Sequence, residues 1–201
     1  MFDYRFFLIV LYICITRITH LVCNEKNVDP PTIQTQKYFP LEVGNTWTYV
    51  PEDTLLGLPF QWDVTYRAGD AVILNRQFPS GSHGGKITMI DHGNEIDILL
   101  SSQKAFPFYR FNIGEMWTHR DTWECDDSSS WATVKEPNTI VTPAGTFSNC
   151  IRIERRSAAV CADAGTTFEW WAPGVGLVKW DELNSYVGGP LTIYLKSYKI
   201  H

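Results

Sequence analysis

The chain has 201 residues, 44% of them hydrophobic and 19% charged, a balance that suits one packed domain and excludes an intrinsically disordered chain. Its formal net charge is −5, from 17 basic and 22 acidic residues, so a nucleic-acid backbone, which is held by clustered Lys and Arg, is not an expected partner. The 8 Trp, 9 Tyr and 11 Phe favour half-buried strand surfaces and tilt the fold towards β.

Phe6 to Ile15 is an unbroken apolar run, preceded by Arg5 and broken afterwards by Arg17 and His20. As a helix such a run rises only about 15 Å, half of a bilayer core of about 30 Å, so it reads as the h-region of a cleavable signal peptide rather than as a span. Residues 1–23 are the expected leader, with Leu21 and Cys23 at the positions a signal peptidase reads. A lipidated Cys23 is the alternative, but Val22 is larger than a lipidation signal favours; an uncleaved anchor is the third. No second apolar run of spanning length follows, so no integral membrane segment is expected after leader removal. The expected location is secreted or cell envelope. Without the leader the charge becomes −6, with 15 basic against 21 acidic residues.

Residues 24–37 form a polar, unpatterned stretch with Pro30 and Pro31 and read as a flexible linker. From there residues 38–201 read as one β domain. Short alternating runs are separated by turn residues, the pattern of an antiparallel meander. Lys86 to Asp91 and Glu95 to Leu100 flank His92-Gly93-Asn94 as a hairpin. Trp131 to Val141 and Thr146 to Arg156 flank Pro143-Ala144-Gly145 as another, in which Ile151 and Ile153 alternate with Arg152 and Glu154. Thr166 to Trp171 stops at Ala172-Pro173-Gly174, Leu177 to Leu183 follows, and Leu191 to Ile200 ends the chain on a strand. Leu41 to Tyr49 and Phe111 to His119 echo each other: each places an apolar pair before a Gly and a Trp three residues after it. Two similar lobes of one curved sheet explain the echo. The expected fold class is all-β, a single curved antiparallel sheet of meander topology forming a half-open barrel or sandwich.

The strings YFPLEVGNTWTY, TPAGTFSNCIRIE and EWWAPGVGLVKW, which span most of Tyr38 to Lys179, resemble a family of exported, often lipid-anchored, bacterial β-domains of uncharacterised function. The resemblance implies export and an antiparallel β architecture, and it carries no catalytic residues. The chain departs from that pattern in lacking a good lipidation signal and in having Cys125 and Cys161. Among the cysteines left after cleavage, Cys125 and Cys161 fall at the same end of a meander and are the expected disulfide, with Cys150 a buried thiol at the opposite end. Pairing of Cys150 with Cys161 is the alternative.

No catalytic constellation stands out. His83-Gly84-Gly85 lacks a G-x-S-x-G partner and reads as a loop; Gly174-Val175-Gly176 is a turn. Glu124, Asp126 and Asp127 do not have the spacing of a calcium loop, and His83, His92 and His119 sit at unrelated spacings, so no metal and no cofactor are expected. Arg152, Arg155 and Arg156 read as solvated strand residues with cross-strand partners such as Glu169. The feature with functional reach is aromatic. Trp170 and Trp171 are adjacent on a strand and face opposite sides; with Trp62, Trp123 and Trp131 they are the candidate ligand-binding residues, able to stack on sugars or line an apolar pocket. The expected function is thus a non-catalytic exported domain binding an apolar small molecule or a glycan. A secreted hydrolase with a carboxylate pair and a purely structural surface protein are the alternatives.

Overall fold

The computed structural model describes residues 37–55, 57–78, 83–100, 104–118, 131–156, 166–183 and 190–201, the side chains of His83, Trp131 and Glu136 excepted. Twelve strands occur among them: β1 (Thr46–Pro51), β2 (Phe60–Ala68), β3 (Ala71–Gln77), β4 (His83–Asp91), β5 (Glu95–Leu99), β6 (Ala105–Arg110), β7 (Met116–Thr118), β8 (Trp131–Thr142), β9 (Gly145–Arg156), β10 (Thr166–Ala172), β11 (Gly176–Glu182) and β12 (Leu191–Lys199). Period-two burial explains them. Phe60, Trp62 and Val64 point inward on β2 and Val72 and Leu74 on β3, while the residues between them face out.

All twelve strands belong to one antiparallel sheet in the order β6-β5-β4-β3-β2-β1-β12-β11-β10-β9-β8-β7. The sheet is nearly closed into a barrel. The last strand pairs with the first, so the C-terminus lies mid-sheet, and the His201 amide donates to the Asn45 side chain at 2.9 Å. The two edges, β6 and β7, are consecutive in the chain.

The echo in the sequence is a repeat in the structure. Gly44 donates its amide to the Val64 carbonyl and Gly114 to that of Val134; Asn45 donates to Glu42 and Glu115 to Asn112; Val64 donates back to Asn45 and Val134 to Glu115. Gly44 and Gly114 have φ of 92° and 83°, a region that suits glycine, and the bonded partners stand at one constant sequence offset. Strands β1 to β6 and β7 to β12 are therefore two copies of a six-stranded unit. One junction between them, β1 with β12, is made by ladder hydrogen bonds, whereas the other, β6 with β7, has no ladder among the described residues.

Aromatic rings fill the interior. Phe39 lies 4.9 Å from Trp171, 5.4 Å from Trp47 and 6.1 Å from Tyr109, centroid to centroid. Trp47 Nε1 donates to the Val175 carbonyl at 2.6 Å and Tyr49 Oη to that of Leu177 at 3.1 Å. Burial, reinforced by Tyr109 and Glu169, holds the Tyr49 phenol far above its ordinary range.

The barrel ends differ. One carries the short turns at residues 69–70, 92–94, 143–144 and 173–175; the other is the end where β1, β3, β5, β7, β9 and β11 finish, each followed in the sequence by a longer connection. At the short-turn end Asp91, almost wholly buried, accepts from Lys37 Nζ and Arg67 Nη1, each at 2.8 Å, and from the Gly93 amide at 3.0 Å. Burial alone would raise the Asp91 carboxyl, but these donors outweigh it and hold it below its usual value. Lys37, read from sequence as the end of the linker, is thus anchored to the barrel.

Candidate functional site

Two arginines point into the barrel near the end with the long connections, at equivalent positions of the two units. In the first unit the directly paired residues across β1, β2 and β3 are Trp47, Trp62 and Arg76; in the second, across β7, β8 and β9, they are Trp117, Ala132 and Arg155. One step along, Val64 pairs with Leu74 as Val134 pairs with Ile153, which confirms the equivalence.

Arg155 is paired with a carboxylate, although its Nη1 has no acceptor. Its Nε donates to Glu169 Oε1 at 2.8 Å, and Glu169 Oε2 accepts from Trp171 Nε1 at 3.1 Å, all three groups being buried. Its Nη2 donates to the Phe108 carbonyl at 2.8 Å, and the guanidinium lies 4.7 Å from the Tyr109 ring and 5.8 Å from that of Trp117. Phe108 and Tyr109 are on β6 and Trp117 on β7, so one side chain from β9 laces the open seam. Burial, then Glu169, lift the Tyr109 phenol far above its ordinary range, an effect that Arg155 partly offsets.

Arg76 has the same position and no such partner. Its guanidinium stacks 4.2 Å from the Phe60 ring and 5.0 Å from that of Phe78. No carboxylate among the described residues lies within ion-pairing distance, its Nε has no acceptor, and burial lowers its pKa. The directly paired Trp62 is 8% exposed and its Nε1 also has no acceptor. Gly84 makes the close approach possible, because a Cβ there would stand 2.8 Å from Arg76 Cγ and 2.9 Å from the Phe78 ring.

Several expectations need correction. Arg155 is not a solvated strand residue. It is 8% exposed, although its partner is the Glu169 expected from sequence; Arg156 and Arg152 do face outward, both beside Glu154. His83-Gly84-Gly85 is not a loop but the start of β4, pressed against Arg76. Trp62, Trp170 and Trp171 do not present open rings. Trp62 and Trp171 are packed inside against Phe39, while Trp170 faces outward and is covered, with Lys179 Nζ 4.4 Å above its ring and Phe168 beside it. The side chain of Trp131 and all of Trp123, Cys125 and Cys161 lie outside the described residues. Cys150 is a free, buried thiol. Burial, slightly offset by a hydrogen bond with the Ile140 backbone, pushes its pKa up to about 11.

Sequence reasoning missed both inward arginines, though a signal was present. Arg76 is in phase with Val72 and Leu74, and Arg155 with Ile151 and Ile153, so each occupies an apolar beat of a period-two pattern. A groove of about 270 Å³ also opens on the surface between Thr146 to Asn149 and Ala172-Pro173, with mostly polar walls. Among the described residues no three His, Cys, Asp or Glu side chains gather as a metal would require.

No protein-family model matches the chain. No curated protein matches it either. Among solved structures it is similar to a Bacteroides fragilis protein described as a "putative exported protein with YmcC-like fold", with 16% identity and a TM-score of 0.48 over 80% of this chain and 98% of that one. It is similar too to a "putative lipoprotein" of Parabacteroides distasonis, with 17% identity and a TM-score of 0.47 over 82% of this chain and 99% of that one.

Proposed function

We propose that the mature chain is an exported, non-catalytic β domain, secreted or held in the cell envelope, that binds an apolar or glycan ligand at the end of the barrel carrying the long connections. The contrast between the two ends carries this reading. Short turns and the Asp91 cluster seal one end, whereas the other places inward-facing polar groups, including an arginine without a carboxylate, on the rim of an aromatic interior. Such a rim with a few oriented polar groups and an apolar floor is how small-ligand sites are commonly built.

The carboxylates support a non-catalytic role. A glycosidase needs two acids in a cleft, one of them kept protonated. The buried acids described here are already committed to cations: Asp91 to Lys37 and Arg67, Glu169 to Arg155, and Glu154 to Arg156. The leader read in residues 1–23 supports export.

The test is native mass spectrometry of the protein expressed with its own leader and recovered from the medium and envelope fractions. The expected result is a chain beginning at Asn24 that carries a small non-covalent adduct. A full-length chain retained in the cytosol would overturn export. An exported chain without an adduct, and without binding to panels of glycans and apolar probes, would favour the purely structural reading.

A further inference from the structure

The two equivalent arginines differ in their partners, a contrast whose meaning rests on the binding role proposed above. In the second unit Glu169, which pairs with Ile153, supplies the carboxylate for Arg155. The matching position in the first unit pairs with Leu74, and it is occupied by Ile87. The repeat thus builds the same inward cation twice and neutralises it once. A guanidinium partly withdrawn from water, its Nε buried with no acceptor and no carboxylate beside it, is costly to keep.

We propose that Arg76, with the Nε1–H of Trp62, is a binding site for a carboxylate, the ligand's acid taking the place that the Glu169 side chain takes beside Arg155. Four observations converge on it. Arg76 Nε and Trp62 Nε1 are donors without acceptors on a directly opposed strand pair, whose Cβ atoms stand roughly 5 Å apart. The rings of Phe60 and Phe78 fix the guanidinium plane. The bare backbone of Gly84 lets the arginine stem lie flat. Arg76 remains partly exposed at the rim, so a ligand can reach it from the long-connection end.

A singly charged acid fits better than a phosphate or a polyanion. The site offers one guanidinium, and a protein of net negative charge repels multiply charged ligands. The acid's body would lie against Phe60 and Phe78, which suits either an alkyl chain or the flat face of a sugar ring. The shared chemistry is therefore a carboxylate on an apolar or sugar body, and a fatty acid and a sugar acid are its two sources.

Calorimetric titration of the purified protein with octanoate and with glucuronate, against octanol and glucose as uncharged controls, tests the assignment. Saturable binding of at least one acid and not of its control is expected. Binding of octanoate alone identifies a lipid-like ligand and binding of glucuronate alone an acidic glycan. Arg76→Met should weaken binding by at least about tenfold, the loss expected for a charged hydrogen-bond partner, with Tm kept or raised because a half-buried cation without a carboxylate has been removed. Ile87→Glu supplies the missing carboxylate from within and should abolish binding while Arg76 is still present. Equal binding of acid and control, undiminished binding by Arg76→Met or Ile87→Glu in a folded protein, or no binding of either acid would overturn the assignment. Undiminished binding by the variants would leave the broader binding role standing, whereas retention of the leader in the cytosol would defeat that role whatever Arg76 does.

Discussion

Replacing Glu169 by Leu should be among the most damaging single changes in the barrel. The substitution removes the only carboxylate within bonding distance of Arg155 among the described residues and also takes the acceptor from Trp171 Nε1. Arg155 keeps the Phe108 carbonyl and three aromatic faces, which satisfy part of its donor set but not its charge. Breaking a buried pair from one side costs about 3–5 kcal/mol, and an orphaned buried N–H a further 1–3 kcal/mol or so, with the two overlapping in part. For a domain of this size about 3–5 kcal/mol lowers Tm by roughly 6–20 °C. Urea unfolding followed by tryptophan fluorescence measures the loss. Arg155→Met alone should also destabilise, because it unlaces the seam, and amide exchange should accelerate in β6 and β7. The double variant removes both charges and should be less destabilised than the sum of the singles by at least about 2 kcal/mol. A Glu169→Leu cost under about 1 kcal/mol, or additive single effects, would mean that Arg155 is solvated and that the seam is held by something else.

Three further outcomes follow from particular contacts. Asp91 has a depressed folded-state pKa, so its contribution to stability is fully present above the ordinary carboxyl value of 3.8 and is lost as pH falls below it towards the folded value. Asp91→Asn should cost about 1–3 kcal/mol at neutral pH and flatten the acid limb of a stability profile measured by urea titration. Cys150, with its pKa raised from 9.0 to about 11, should react with iodoacetamide at pH 8 at least about a hundredfold more slowly in the folded than in the unfolded protein; comparable rates would contradict its burial. At Gly176, with φ of 115°, an added Cβ would stand 3.0 Å from Trp47 Nε1. Gly176→Ala should therefore cost about 1–3 kcal/mol or more, read as a lowered Tm.

Much of the fold was legible because turn chemistry is local. His92-Gly93-Asn94 and Pro143-Ala144-Gly145 marked their hairpins, and the boundaries of β10, β11 and β12 fall within a residue or so of where alternation stops. The echo around Gly44 and Gly114 pointed correctly to two lobes, since the same hydrogen bonds recur at both. The candidate site was much less legible. Adjacent Trp170 and Trp171 did imply opposite faces, but which of those faces is covered depends on Lys179, Phe168 and Phe39, which come from a neighbouring strand, the same strand and a distant segment respectively. The phase of Arg76 and Arg155 was readable, yet a charged residue on an apolar beat acquires meaning only with its neighbours.

The amino-acid sequence by itself determined that alternating side chains, interrupted by glycine and proline, would form strands joined into an antiparallel meander. Those preferences act over a few residues, so they can be read along the chain. Only the tertiary structure decided that β12 would close onto β1, that Arg155 would find Glu169 and reach Phe108 across an unladdered seam, and that Arg76 would lie against Phe60, Phe78 and Gly84 with no carboxylate among the described residues beside it. Burial and pairing depend on which distant strands share a face, and that is set when the sheet curls, not by any stretch of sequence read alone.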